Sequence, residues 1–153
     1  MPVTDTQVRA LRAFLDLAVE EIPGLAYQLG DAEIRGYLYL GDAALSLLAC
    51  RRFPQYSSAD VVRYVASVRR ERLADGSSYD IDPVVGEYVL NSSLGIAGPP
   101  QPAEERFRAV IALLGALSAT ELQTATDVDE LLRGARALAN RWLAHRDNRP
   151  PDM

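Results

Sequence analysis

Six arginines lie between Arg51 and Arg72 (Arg51, Arg52, Arg63, Arg69, Arg70 and Arg72), opposed in that stretch by only Asp60 and Glu71. Six cations against two carboxylates leave a local balance of +4. The whole chain is at −5, so the rest of it carries −9. A guanidinium is planar and binds a carboxylate or a phosphate through two parallel hydrogen bonds. The cluster therefore has the chemistry to hold an acidic protein surface, a phosphorylated ligand or a nucleic-acid backbone. The competing account is structural: arginines near a helix C-terminus complement its dipole and then turn into water or onto neighbouring carboxylates.

Just downstream, Asp75-Gly76-Ser77-Ser78-Tyr79-Asp80-Ile81-Asp82 places carboxylates on a turn, the arrangement that ligates a hard cation. The calcium-loop spacing does not fit. With Gly76 at the sixth position the third falls on Leu73, which has no ligand atom. Turn and capping chemistry explains the same residues, because Asp and Ser bond their own backbone in such turns. The acidic loop can also neutralise the arginines upstream, making one network of the two features. The candidate binding residues are accordingly Arg63, Arg69, Arg70, Arg72, Tyr79, Asp80 and Asp82.

Other chemistries are scarce. All 16 cationic side chains are arginine, so a phosphate-loop lysine, a Schiff-base lysine and a lysine general base are excluded. One cysteine (Cys50) and one histidine (His145) cannot build a zinc finger, a Cys/His zinc site or an internal disulfide. His145 has no second histidine or activated nucleophile to form a triad with, and at a helix end it suits the dipole. Carboxylates one helical turn apart, as a magnesium-dependent phosphohydrolase would use, occur in a helix interior only as Asp16 and Glu20. A strip of Arg35, Tyr39, Asp42 and Ser46 would be a candidate site if buried; otherwise it is the solvated edge of its helix. No catalytic residue, metal or cofactor is expected from these features.

The elements that position these residues are helical. From Asp5 to Ile22 the residues Val8, Leu11, Leu15, Val19 and Ile22 form one stripe, and Pro23-Gly24 ends it. Asp31 to Cys50 is apolar almost all round, with Ile34, Leu38, Leu45 and Leu48 on one side, which predicts a central, buried helix. Leu29-Gly30-Asp31-Ala32 recurs as Leu40-Gly41-Asp42-Ala43. A continuous helix using Gly36 and Gly41 for close packing is preferred over a break at Gly41. Ser57 with Asp60 starts the next helix, which runs to about Leu73 and buries Val61, Val62, Val65 and Val68. Its β-branched face makes a strand the rival reading, rejected because the cationic end Arg69 to Ala74 continues as a helix.

Asp82-Pro83 opens a short helix ending near Asn91-Ser92-Ser93. The gap from Leu73 to Asp82 is too long for a helix-turn-helix, and Pro83 to Asn91 contains no arginine. Beyond the proline-rich linker Gly98 to Pro102, one helix starts at Pro102 and buries Phe107, Val110, Ile111, Leu114 and Leu117. A last helix starts near Thr126-Asp127 and carries Val128, Leu131, Leu132, Ala135, Leu138, Ala139 and Trp142.

The expected fold is all-α, a helical bundle of five to seven helices with a C-terminal hairpin. It spans 1–148 as one domain, with sub-division into 1–95 and 102–146 as the alternative and 149–153 as a disordered tail. Asp5, Arg9 and Arg12 interrupt any signal sequence, and no uncharged apolar run of about 18 residues occurs. This predicts a cytoplasmic protein with no membrane partner. Arginine in place of lysine, with 22 alanines, is the composition of a GC-rich bacterial genome. The expected function is a non-enzymatic interaction or regulatory module, an adaptor or toxin-neutralising type, that binds a protein through the arginine-rich helix and acidic loop. Binding of a phosphorylated ligand or nucleic acid at the same arginines is second, and a metal-assisted phosphohydrolase third. Tyr37, Tyr39 and Trp142 leave homodimerisation open.

Overall fold

The computed structural model describes residues 2–16, 31–76 and 80–147, whose regular elements are all helices, with no strand among them. Six helices occur in the described residues: α1 (Asp5–Leu15), α2 (Asp31–Arg52), α3 (Ser58–Ala74), α4 (Pro83–Ser93), α5 (Ala103–Glu121) and α6 (Ala125–Asp147). The all-α expectation holds. No helix of the described residues is long and apolar enough to cross a membrane. The chain divides into two units, one of residues 1–44 with 123–153 and one of residues 45–122. The boundary falls inside α2, and the proline-rich linker lies within the second unit.

In the first unit α1 begins with a reciprocal cap. Thr4 Oγ1 accepts from the Gln7 backbone N–H at 3.3 Å, and Gln7 Oε1 accepts from the Thr4 backbone N–H at 2.8 Å. Gln7 is itself buried, with Ala10, Leu11, Ala13 and Leu15, while Val8 is only half-buried. The predicted continuation from 17 to Ile22, with Val19, lies outside the described residues. α6 runs antiparallel to α1: Arg136 meets Asp5 at 2.7 Å, and Arg12 pairs with Asp129 seven residues along α1 and seven back along α6. The Val3 N–H also donates to Asn140 Oδ1 at 2.7 Å. α6 starts at Ala125, earlier than expected, because Thr124 Oγ1 accepts from Asp127 N–H and Asp127 Oδ2 accepts from Thr124 N–H. Its buried stripe is Val128, Leu131, Leu132, Ala135, Ala139 and Leu143; Leu138 and Trp142 are half-buried.

α2 is continuous, as preferred, but its two glycines differ. A Cβ on Gly36 would fall 2.5 Å from Gln7 Nε2, whereas one on Gly41 would meet nothing within 4 Å. Close packing is therefore the role of Gly36 alone. Nor is the helix buried all round. Leu40, Ala43, Ala44, Leu45, Leu48 and Ala49 are buried, while Ile34 and Leu38 are exposed. Arg35 and Asp42 are exposed too, so the polar strip is a solvated edge.

In the second unit α3 packs on α4, and α4 on α5. α3 buries Val61, Val65 and Val68, spaced by four and three, each worth about 1.5–3 kcal/mol in water-excluded surface. Val62 is not on this face: it is 48% exposed. α4 begins where Asp82 Oδ1 accepts from Val84 N–H at 2.9 Å and Val85 N–H at 3.2 Å. It approaches α3 closely at Gly86, where an added Cβ would sit 2.9 Å from Val65 Cγ1. α5 buries Ala109, Ala112, Leu113, Leu114, Leu117 and Ser118. Phe107 and Ile111, expected inside, are exposed because α5 turns alanines and its later leucines inward instead.

Candidate functional site

α3 carries the arginines, and the helix periodicity sorts them. With Val61, Val65, Val68 and the half-buried Arg72 on the inner stripe, Arg63 and Arg70 fall on the opposite side and are exposed. Between those arginines and the core lie Val62, Ala66 and Leu73. All three are exposed, Leu73 by 59%. The outer surface of α3 is thus an apolar strip edged by two guanidinium groups.

Arg63 Nη1 lies 3.2 Å from Asp60 Oδ1, an i,i+3 pair in which the arginine side chain keeps 75% of its exposure. Such a surface pair restrains the guanidinium little and leaves most of it facing water. Arg69 is used differently. Its Nε donates to Asp80 Oδ1 at 3.0 Å and its Nη2 donates to Asp80 Oδ2 at 2.7 Å. This fork ties the end of α3 to the segment leading into α4. Hydrogen bonding from Arg69 is the chief reason the Asp80 carboxyl is held below its ordinary range, with the charges of Arg69 and Arg72 adding to it. Asp82 caps α4. Asp80 therefore braces the arginine helix through Arg69, the kind of link the one-network reading expected. Tyr79 lies outside the described residues.

At the other flank of α3, Arg52 sits over the rings of Phe53 and Tyr64 at 5.1 and 5.5 Å, and the two rings meet edge to face. Burial pushes the Tyr64 hydroxyl up to about 12, against the opposing charge of Arg52. A phenol in that state is neutral and serves packing, not proton abstraction.

Half-buried Arg72 borders a second feature. With Arg108, Ile111 and Ala112 of α5 it lines a cleft of about 340 Å³. Arg108 Nη2 also meets Glu104 Oε1 at 2.8 Å. Arg108 is not among the residues singled out from the sequence, and Phe107, Ile111 and Val62, expected on buried faces, are exposed. The signal for Val62 was present: Val61 and Val62 are adjacent in a helix and point about 100° apart, so only one can share a face with Val65 and Val68.

Among the described residues no group of three or more His, Cys, Asp or Glu stands close enough to hold a metal ion. Asp16 is exposed at the end of α1, and Glu20 lies outside the described residues. His145 is exposed on α6. Comparison of the chain with protein-family models, curated proteins and solved structures finds no match in any of the three.

Proposed function

We infer that this is a non-enzymatic, cytoplasmic protein-interaction module that docks an acidic, amphipathic partner segment on the outer face of α3. The observation that carries the reading is the exposed strip of Val62, Ala66 and Leu73 beside Arg63 and Arg70. Exposed valine and leucine in a helix confer no solubility, and burying them against a partner removes apolar surface from water. Guanidinium groups at the rim add steering and orientation, which select a partner with carboxylates next to its apolar residues. The Arg69–Asp80 fork ties the end of α3 to the segment before α4, which reduces the ordering cost of docking.

Panning a displayed peptide library against the full chain tests this without a known partner. Enriched peptides should pair carboxylates with apolar residues at helical spacing and should lose binding as salt rises. Peptides without acidic residues, or no enrichment at all, would contradict the reading. Retention on heparin that Arg63→Ala with Arg70→Ala abolishes would instead place nucleic acid or a phosphorylated ligand at these arginines, and would likewise count against it.

A further inference from the structure

We propose that the occupant of the α3 face is a second copy of this chain, which presents the outer face of its α4, a partner that rests on the docking face inferred above. α4 has the composition that α3 selects. It buries Val85, Gly86, Val89 and Leu90. Val84, Glu87, Tyr88 and Asn91, at i, i+3, i+4 and i+7, fall together on its other side. Val84 is 60% exposed, and Glu87 and Tyr88 are half-buried. The Ile96 N–H donates to Asn91 O at 2.8 Å, which keeps the exposed Ile96 beside the end of this helix. The result is an apolar helix face with a carboxylate set in it.

The two faces match in charge. Glu87 is the only charged residue from Pro83 to Ser93, and the exposed Asp82 at the helix start adds a second carboxylate. α3 offers Arg63, whose side chain keeps 75% of its exposure, and the exposed Arg70. Neither Arg70 nor Glu87 has an ion-pair partner among the described residues. Docking α4 of one copy on α3 of another brings these charges together and buries Val84 against Val62, Ala66 and Leu73. α3 and α4 pack on one another, with Gly86 close to Val65 and Asp80 bonded to Arg69, so every copy carries both halves of the contact. A rival exposed pair, Phe107 and Ile111 on α5, fits less well, because Glu104 beside it already bonds Arg108. Each copy is at −5 overall, so general repulsion opposes association, and the contact depends on this local pairing and burial.

Sedimentation velocity of the full chain over a range of concentrations tests this. The parent should pass from monomer to larger species as its concentration rises. Arg63→Glu with Arg70→Glu should weaken self-association tenfold or more, and so should Glu87→Arg, each with the helical circular dichroism unchanged. An equimolar mixture of these two proteins should associate again, because each reversed face then meets a face of opposite charge. Damage to the fold would give no such recovery. A panned acidic peptide that binds α3 should also compete with association. A parent that stays monomeric up to about 1 mM would overturn the proposal, and if it still binds the panned peptide the docking face itself stands. Association that survives both charge reversals, or a mixture that stays monomeric, would overturn it as well.

Discussion

Arg69 and Asp80 face each other fork to fork, with two parallel hydrogen bonds of 3.0 and 2.7 Å joining α3 to the approach of α4. The pair divides the arginine cluster by role. Arg69 is committed to the fold, Arg63 and Arg70 face outward, and half-buried Arg72 lines a cleft with residues of α5. A charge run that reads as one patch in the sequence is therefore three environments on one helix.

Replacing Asp80 with Asn should destabilise the protein in a pH-dependent way. The Asp80 carboxyl is held low in the folded state. Its contribution is thus complete above the unfolded-chain value of about 3.9, and it is lost as pH falls through the lower folded value. Urea midpoints of the parent and Asp80→Asn proteins should differ at pH 7 and converge as pH drops below about 4. A gap of constant size across that range would show that the carboxylate charge is not what matters.

Gly36 and Gly41 should respond oppositely to alanine. A Cβ at Gly36 would lie 2.5–2.9 Å from the carboxamide of Gln7. That carboxamide cannot simply move aside, because its Nε2 donates to Glu33 O at 2.6 Å and its Oε1 completes the α1 cap. Gly36→Ala should cost about 1–3 kcal/mol, as overpacking does. Gly41→Ala meets open space and should stabilise by about 0.5–1 kcal/mol. Chemical denaturation of the two variants checks the pair, and equal effects would refute the distinction.

The α3–α4 contact should show coupling between Gly86 and Val65. An alanine at 86 would place its Cβ 2.9 Å from Val65 Cγ1, and Val65 is fully buried. Gly86→Ala should therefore destabilise by about 1–3 kcal/mol. In the double variant with Val65→Ala the clash is gone, and the combined cost should fall short of the sum of the two singles by about 1 kcal/mol or more. Strict additivity in a double-mutant cycle would mean the helices separate to accommodate the methyl.

Local signals in the sequence were readable because they act within a few residues. Ser57 and Asp82 cap the helices they were expected to start, the arginine-rich end continues α3 as a helix, and Gly95 lies just past the end of α4. Burial was less readable, because it depends on which neighbour a face meets. Ile34, Leu38, Phe107 and Ile111 have the composition of core residues and are exposed. Gln7 has the composition of a surface residue and is buried, since its two hydrogen bonds satisfy it between α1 and α2. The same limit hid the cleft: Arg72 and Arg108 are 36 positions apart in the chain, and nothing local links them.

The docking face of α3 is tested most directly by measuring the affinity of a panned acidic peptide for the parent chain and for the Val62→Glu, Leu73→Glu double variant. Both positions are solvent-exposed, so the variant should keep its helical content and thermal midpoint. The account predicts a loss of about 100-fold in affinity, as expected when two apolar contacts become like-charged with the ligand. Unchanged affinity in a folded double variant would contradict it.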